Sequence, residues 1–385
     1  MDQVQDIRLF PFLQEVPDPR HARGRRYPWA LLLGIVSSAL LSGQHQVAAI
    51  ARWAEEHATE LLRELPHTRD DIPSRSTLGR ALRGVDIEAL ERQVSAYGQA
   101  VDESDRVPGR IEGPDGSHYR GQALDGKAVR GAQAHGQPVH LVSLVRHESG
   151  TVLAQVRVAE KSNEITAAPA LLAGRDLTGT VTTMDALLTQ RSLSEQIVSQ
   201  RGDYLMVVKA NQHQLHEDLA TLFAAPPWPP GVEDRQSHGS VEYGHGRLER
   251  RTVVTSAALV GYLDWPGAQQ VAQRTCERWK AGAYHCAVNY AVTSLSAERA
   301  GPQQIATLWR GHWTIENGVH HVRDETLRED RGQAHTGNTA QALAALRNAL
   351  LAGLRAWGWS NIAEALGHYS ASVHETLHFL GASGQ

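Results

Sequence analysis

Cysteine is scarce in this sequence of 385 residues, and no apolar run is long enough to span a bilayer. The two cysteines, Cys276 and Cys286, flank a hairpin turn predicted at residues 280–283, across which they could face each other. Because nothing in the first ten residues resembles a secretory signal, two reduced thiols in a cytoplasmic protein are expected. The longest apolar run, Trp29 to Leu41, is shorter than the roughly 20 residues of a membrane span and predicts a buried helix.

An excess of positive charge is also absent. Lys and Arg number 38 against 42 acidic residues, for a net charge of −4, which argues against nonspecific coating of nucleic acid over the whole surface. Residues 1–115 contain 14 Arg, no Lys and 18 acidic residues. Four of these arginines crowd together, as Arg20, Arg23, Arg25 and Arg26. They are either a solvated loop or a set of phosphate contacts.

Hydrophobic periodicity predicts a helical region followed by a mixed α/β region. The order of elements after residue 116 is strand, strand, strand, helix, strand, helix, strand, which favours an α/β layered fold. A β-rich insertion is predicted at about residues 226–298, with helices after it. We therefore expect three parts: a helical N-terminal domain at 1–115, an α/β domain at 116–360, and a C-terminal tail at 361–385.

Three carboxylates stand out from this pattern. Asp125 and Asp185 each follow an apolar run predicted to be a strand, and reactive groups gather at strand ends in open α/β sheets. Glu316 lies on a predicted helix running from Gly301 to about Arg331. Helical steps of three and four residues place it on one stripe with further polar, aromatic and cationic side chains: Trp309, His312, His320 and Arg323.

Two strand-end aspartates and a helix glutamate are the ligands that a two-metal phosphoryl-transfer site requires. Carboxylate oxygens suit Mg²⁺ or Mn²⁺, and two such ions stabilise the attacking and leaving oxygens of an in-line displacement. Each acid taken singly could equally be a cap, a turn or a surface residue.

The ordered motifs resemble those of the DDE transposases of bacterial insertion sequences, in the ISAs branch that includes the H-repeat-associated proteins. The resemblance covers nearly the whole chain and rests on these segments: DPRHARGRRYPWALLLG, LDGKAVRGA, VTTMDALLTQ, GDYLMVVKANQHQLHEDL, HGRLERR, HWTIENGVHHVRDETLRED and LRNALL. It implies a ribonuclease H-like catalytic domain with a β-rich insertion, and a catalytic and metal-binding triad of Asp125, Asp185 and Glu316.

The resemblance also implies an N-terminal domain associated with binding double-stranded DNA, and a homodimer is expected because two element ends must be brought together. Broader relatives place Tyr, Arg and Lys around the glutamate where this chain has Trp309, His312 and Arg323. Besides the arginines of residues 20–26, the residues expected to contact DNA are Lys127, Lys209, Arg247, His312 and Arg323. The expected reaction is metal-dependent cleavage at element ends, followed by strand transfer to target DNA.

Two other functions compete with this interpretation. The chain could be a domesticated, inactive relative that only binds DNA, although its triad is intact. The segment His374-Glu375-Thr376-Leu377-His378 also matches the H-E-x-x-H pattern of zinc peptidases, in which two histidines one helical turn apart bind the metal. A third ligand downstream is not expected, because Gln385 is only seven residues after His378.

Overall fold

The structure, a computed structural model, describes residues 7–104, 110–134, 137–159, 162–225, 234–244, 246–334 and 336–382. The chain forms two compact units that do not follow chain order. The helical unit comprises Met1–Pro108, Gly126–Ser162 and Ile315–Gln385, and the sheet unit comprises Gly109–Asp125 and Asn163–Thr314. This grouping differs from the division expected at residues 115 and 360, because helices near both ends of the chain share one core.

The α-helices of the described residues are α1 Leu9–Gln14, α2 Trp29–Leu41, α3 Val47–Glu56, α4 Ala58–Glu64, α5 Arg75–Gly84, α6 Ile87–Glu103, α7 Glu164–Leu172, α8 Arg191–Ser199, α9 His213–Ala224, α10 Pro302–Gly311, α11 Thr339–Ala356, α12 Ile362–Ser370 and α13 Val373–Leu380. The strands are β1 Ile111–Glu112, β2 His118–Ala134, β3 Gln137–Arg146, β4 Val152–Arg157, β5 Thr180–Met184, β6 Asp203–Val208, β7 Gln236–Gly244, β8 Arg247–Ser256, β9 Gln270–Lys280 and β10 Ala283–Thr293. No helix in the described ranges has both the length and the apolar character needed to cross a membrane.

The helical unit is built around α2, whose residues are buried with the exception of Ala30, as the apolar run predicts. Its core combines side chains of α1 to α6 with those of α11 to α13. The segment expected to be a C-terminal tail therefore contributes two helices to this core. Helices α5 and α6 are separate, because the Asp86 carboxylate accepts a hydrogen bond from the Ala89 N–H at 3.0 Å and caps the start of α6.

The sheet unit contains a large mixed sheet in the order β2-β5-β6-β10-β9-β8-β7. Strands β2, β5 and β6 are parallel to one another, and β10 joins them antiparallel to β6. Every residue of β5 is buried, as expected of a parallel strand covered on both faces. The described part of the predicted insertion thus forms β7 to β10, which extend the same sheet.

The hairpin between β9 and β10 turns at Ala281 and Gly282, which both have positive φ angles, of 49° and 80°. Cys276 pairs with Ala287, whereas Cys286 pairs with Glu277. Because successive residues of a strand point to opposite faces, the two thiols lie on opposite sides of the hairpin. Both cysteines are free in the structure.

Candidate active site

Asp125 and Asp185 lie side by side at one edge of the sheet unit. They directly follow Leu124 and Met184, which are Cα partners in the parallel pairing of β2 with β5. Neighbouring strands are about 4.8 Å apart, so the two half-buried carboxylates begin from adjacent backbone positions. The prediction that a strand ends at Asp125 is wrong, because β2 continues to Ala134, although its pairing with β5 stops at Leu124.

The loop after β5 holds Asp185 in a defined orientation. The Leu188 N–H donates to Asp185 Oδ1 at 3.0 Å. The buried Thr189 hydroxyl lies 2.8 Å from the carbonyl oxygen of Asp185 and 2.6 Å from that of Val207, on β6. Asn211 Nδ2 also donates to the carbonyl of Ala186 at 2.6 Å. These contacts anchor the aspartate loop to the end of the neighbouring strand.

Lys209 belongs to the same edge. Strand β6 runs parallel to β5 with Met206 opposite Met184, and Lys209 follows the last residue of β6. Its side chain is exposed. A positive charge therefore stands at the sheet edge that carries the two aspartates, in a position open to an anionic partner.

His312 lies inside the sheet unit, immediately after α10. It is buried, and its Nδ1 is 3.0 Å from the Thr183 hydroxyl on β5. Burial lowers the pKa of His312 to about 4, against the opposing charge of Asp185, so the imidazole is neutral at pH 7. His312, which was expected to contact DNA, is thus buried against β5 and within the electrostatic influence of Asp185.

Sequence reasoning did not single out Arg274, on β9. Its guanidinium lies over the indole of the buried Trp309, 4.7 Å from the ring centroid. Its charge also contributes to the lowered pKa of His312. The one available signal was its place in an alternating strand, which does not distinguish it from neighbouring arginines.

Glu316 lies in the helical unit, on a segment that is π-helical. The predicted continuous α-helix from Gly301 to about Arg331 is wrong, because two π-helical segments, Ile315–His320 and Val322–Thr326, follow α10. Their hydrogen bonds span five residues, so the expected α-helical stripe does not form. Glu316 is exposed, while Ile315 and Val319 are buried. Segments of π-helix occur frequently at functional sites.

Lys127 and Arg323, both expected to contact DNA, are buried in the helical unit. Lys127 Nζ lies 2.5 Å from Asp324 Oδ1. Arg323 is 0% exposed, and its guanidinium donates to both oxygens of Glu329, at 2.7 to 3.2 Å. It also donates to the side-chain oxygens of Gln155, at 3.0 Å, and Asn348, at 3.2 Å. These donors face protein acceptors in the interior, so a phosphate contact would require this network to open.

The N-terminal arginines are divided between pairing and exposure. Arg20 forms two hydrogen bonds with Asp18, at 2.8 and 2.9 Å, and donates to the Tyr27 carbonyl at 2.6 Å. Arg25 also approaches Asp18, at 3.4 Å, and Arg26 pairs with Asp71 at 2.6 Å. Arg23 is exposed and makes no side-chain contact of this kind within the described ranges.

Arg247 is half-buried near the start of β8 and lies 3.3 Å from Glu249. Glu249 also pairs with Arg251, at 3.0 Å, and with Arg278, at 3.4 Å. The described strands of the insertion therefore carry arginines whose charges are largely balanced by glutamates on the same strands.

The H-E-x-x-H segment lies on α13, with His374, Glu375 and His378 exposed. Among the described residues, no group of three or more His, Cys, Asp or Glu side chains is arranged to hold a metal ion. The two histidines thus lack a third protein ligand there, which catalytic zinc sites require.

Comparison with known proteins supports the resemblance. The model of the Transposase DDE domain matches residues 116–352, and a model described as DDE_Tnp_1-associated matches residues 10–97. The "Putative transposase YncI" of Escherichia coli O157:H7 is 28% identical over 357 residues, which cover 90% of this chain and 87% of the relative.

Two further relatives agree. The "Uncharacterized protein in dhlA 3'region" of Xanthobacter autotrophicus is 31% identical over 297 residues, covering 75% of this chain and 95% of the relative. The "H repeat-associated putative transposase YhhI" of Escherichia coli (strain K12) is 26% identical over 351 residues, covering 89% of this chain and 88% of the relative. The predicted link to the H-repeat-associated proteins is confirmed, and the chain belongs to the Transposase DDE domain family.

Proposed function

We propose that this protein is a DNA transposase that cuts DNA at the ends of an insertion sequence and joins the freed strand to target DNA. The observation that carries the proposal is the register of β2 and β5, in which Asp125 and Asp185 directly follow the last pair of the parallel pairing, Leu124 and Met184. The order of the strands in the sheet, β2-β5-β6, accords with a ribonuclease H-like catalytic fold. Family membership supplies the expectation of transposition.

The proposed reaction has two displacements. In the first, water attacks a phosphodiester, and the bond to the 3′-oxygen breaks, leaving a 3′-OH on one side of the cut and a 5′-phosphate on the other side of the same strand. In the second, this 3′-OH attacks a phosphodiester of the target, forms a new bond to phosphorus, and releases a target 3′-OH. Each attacking oxygen loses a proton and each leaving oxygen gains one, so the number of phosphodiester bonds is conserved in the second step.

Carboxylate oxygens are ligands that suit divalent cations such as Mg²⁺. Asp125, on β2, and Asp185, directly after β5, are half-buried carboxylates, and the Leu188 N–H donates to one oxygen of Asp185. We propose that these aspartates, with Glu316, hold two Mg²⁺ or Mn²⁺ ions. Such ions, when bound, supply charge stabilisation for the attacking and leaving oxygens.

The remaining residues of the sheet edge would position DNA. Lys209 offers an exposed cation beside the aspartates, and neutral His312 packs behind them without adding charge. Further proposed contacts to double-stranded DNA are Arg247 and the segment of residues 20–26, where Arg23 is exposed. Lys127 and Arg323 are left out of the proposed contacts because they are buried. A homodimer in the DNA complex is proposed on functional grounds, since two ends must be joined.

The test uses DNA that carries the sequences flanking the gene in its own genome. Asp125→Asn and Glu316→Gln keep the size of each side chain and remove its charge. Loss of a metal ligand worth about 4 kcal/mol lowers the cleavage rate about 1,000-fold. Binding to the same DNA should stay within about threefold of wild type, measured by fluorescence anisotropy. Unchanged Mg²⁺-dependent nicking by Asp125→Asn would remove that residue from the site.

A further inference from the structure

Arg274 is an arginine that the protein partly buries without giving it a hydrogen-bond acceptor. Its side chain is half-buried, and Nε is enclosed with no hydrogen-bond partner. No ion pair or side-chain hydrogen bond joins its guanidinium to any residue that the structure describes. Its guanidinium carbon lies over the face of Trp309, 4.7 Å from the ring centroid.

This arrangement is costly for an arginine. Withdrawing a cation from water without a paired anion is strongly unfavourable, and burial accordingly lowers the pKa of Arg274. Stacking on an aromatic ring offsets only part of that cost. A side chain that served packing alone would be better as a methionine or leucine in the same space.

Neighbouring arginines show that the same strands can supply partners. Arg250 pairs with Glu277 at 2.5 Å, and Arg251 pairs with Glu242 and Glu249, each at 3.0 Å. Glu249 lies within electrostatic range of Arg274 but is already bound by other arginines and by the Cys276 thiol, at 3.1 Å. Of the two arginines of β9, Arg278 pairs with Glu249, whereas Arg274 has no ion pair among the described residues.

The surroundings of Arg274 indicate which anion would balance it. Trp309 lies three residues, or about one helical turn, before His312, which contacts Thr183 and is within the electrostatic influence of Asp185. The guanidinium thus stands on the side of the sheet unit that leads to the aspartate edge. Phosphodiester oxygens are the anions that the proposed reaction brings there, and a planar guanidinium binds two of them at once.

We propose that Arg274 is a substrate-binding residue that receives a backbone phosphate of DNA near the bond to be cut, with Trp309 holding its guanidinium flat. This inference rests on the proposed function and adds a residue to it. Arg274 acts by binding and positioning the substrate, while the carboxylates carry the chemistry.

The test measures the affinity for flanking DNA as a function of salt. Arg274→Gln should weaken binding about 10- to 100-fold, as loss of a hydrogen bond to a charged group predicts. The slope of log affinity against log salt should become shallower by about 0.9, the value for one phosphate contact. Arg274→Lys keeps the charge but not the fork, so it should retain the slope and still bind several-fold more weakly.

A second arm locates the phosphate. Neutral methylphosphonate linkages are introduced one at a time along the DNA. At one position along the DNA, the neutral linkage should weaken binding by wild type and leave binding by Arg274→Gln unchanged. Arg201→Gln is the matched control, because Arg201 is an exposed arginine of the same unit that already pairs with Asp176 at 2.9 Å. The melting temperature of Arg274→Gln should be equal to or above that of wild type.

The outcomes separate the two proposals. If wild type cuts the DNA and Arg274→Gln shows the same affinity, salt slope and methylphosphonate pattern, the role of Arg274 is overturned while the transposase assignment stands. A drop in melting temperature with an unchanged salt slope would make Arg274 structural. If wild type neither binds nor cuts the flanking DNA, both proposals fail.

Discussion

Arg323 in the helical unit is fully buried and Arg274 in the sheet unit is half-buried, but the contacts of their guanidinium groups differ. Arg323 is fully buried and pairs with Glu329, which also accepts from Arg347 at 3.3 Å. Arg274 stacks on Trp309 and has no ion pair among the described residues. Arg323 therefore has its acceptors inside the protein, whereas we propose that the acceptor of Arg274 is a phosphate of the DNA.

The difference also shows what spacing in a motif can and cannot tell. Arg323 stands seven residues after Glu316, where the family pattern predicts a phosphate contact, and the structure gives it internal partners. Arg274 belongs to no motif. Burial and pairing, rather than position in a pattern, therefore distinguish the structural cation from the proposed DNA contact.

The largest expected effect comes from removing the paired arginine. Arg323→Met leaves Glu329 with Arg347 alone in the interior, and breaking a buried ion pair costs about 3 to 5 kcal/mol. The free energy of unfolding of the helical unit, measured with urea, should fall by that amount. A loss below about 1 kcal/mol would show that the network contributes little and would break the comparison with Arg274.

The second prediction concerns Glu91, which belongs to the same buried network. Gln155 donates to its carboxyl at 2.9 Å and Gln341 at 3.3 Å, yet burial raises the pKa of Glu91 to about 7. A raised pKa means that the folded state binds the proton more tightly than the unfolded state does. The stability contributed by protonated Glu91 is present below about pH 4.5 and is lost as the pH rises through about 7.

Glu91→Gln removes this titration and keeps an oxygen that can accept. The stability of wild type minus that of Glu91→Gln should fall by about 3 kcal/mol between pH 4.5 and pH 8, from 1.36 kcal/mol per pKa unit. Urea unfolding of both proteins at a series of pH values provides the measurement. A difference that stays flat over that range would contradict a protonated Glu91 in the interior.

The third effect is smaller and has the opposite sign. Arg274→Met replaces an unpaired cation with an apolar side chain that can still pack on Trp309. The free energy of unfolding should rise by about 1 kcal/mol, in line with the stabilisation often found when a functional charge is removed. Destabilisation by a similar amount would show that Arg274 supports the fold and would erase its contrast with Arg323.

The smallest effect is expected for an exposed pair. Arg201 and Asp176 are both exposed and lie 2.9 Å apart. Such pairs contribute little because water and salt screen them. Arg201→Gln should have the urea midpoint of wild type, and a resolvable shift would mean that exposure is a poor guide to the weight of an ion pair in this protein.

Much of the fold could be predicted because it depends on local patterns. The buried helix α2, the order of β2 to β6 with their helices, and the hairpin of β9 and β10 all follow from apolar periodicity and turn residues. Strand β7 was missed because its sequence, QSHGSVEYG, is mostly polar and carries two glycines. The core helices α12 and α13 were not predicted in the segment expected to be a tail, because their apolar side chains are buried only against helices that are distant in sequence.

The part of the candidate site that could be predicted is the pair of aspartates at the end of the parallel pairing between β2 and β5. Asp125 and Asp185 could be expected at one sheet edge because each follows an apolar strand. The π-helical segments around Glu316 could not, since they depend on tertiary contacts such as the hydrogen bond from Arg355 to the Gly318 carbonyl. The pairing of Arg26 with Asp71, 45 residues away, is likewise invisible in the local sequence.

The most direct test of the account is cleavage of end-labelled flanking DNA by wild type and by Asp185→Asn, in Mg²⁺ and under equal DNA occupancy. Wild type should produce a cut strand whose 3′-OH can be extended by a polymerase. Asp185→Asn should cut about 1,000-fold more slowly, because the proposed metal ligand that follows β5 is lost. Equal cleavage by the two proteins, or no cleavage by wild type, would contradict the assignment of this sheet edge as the active site.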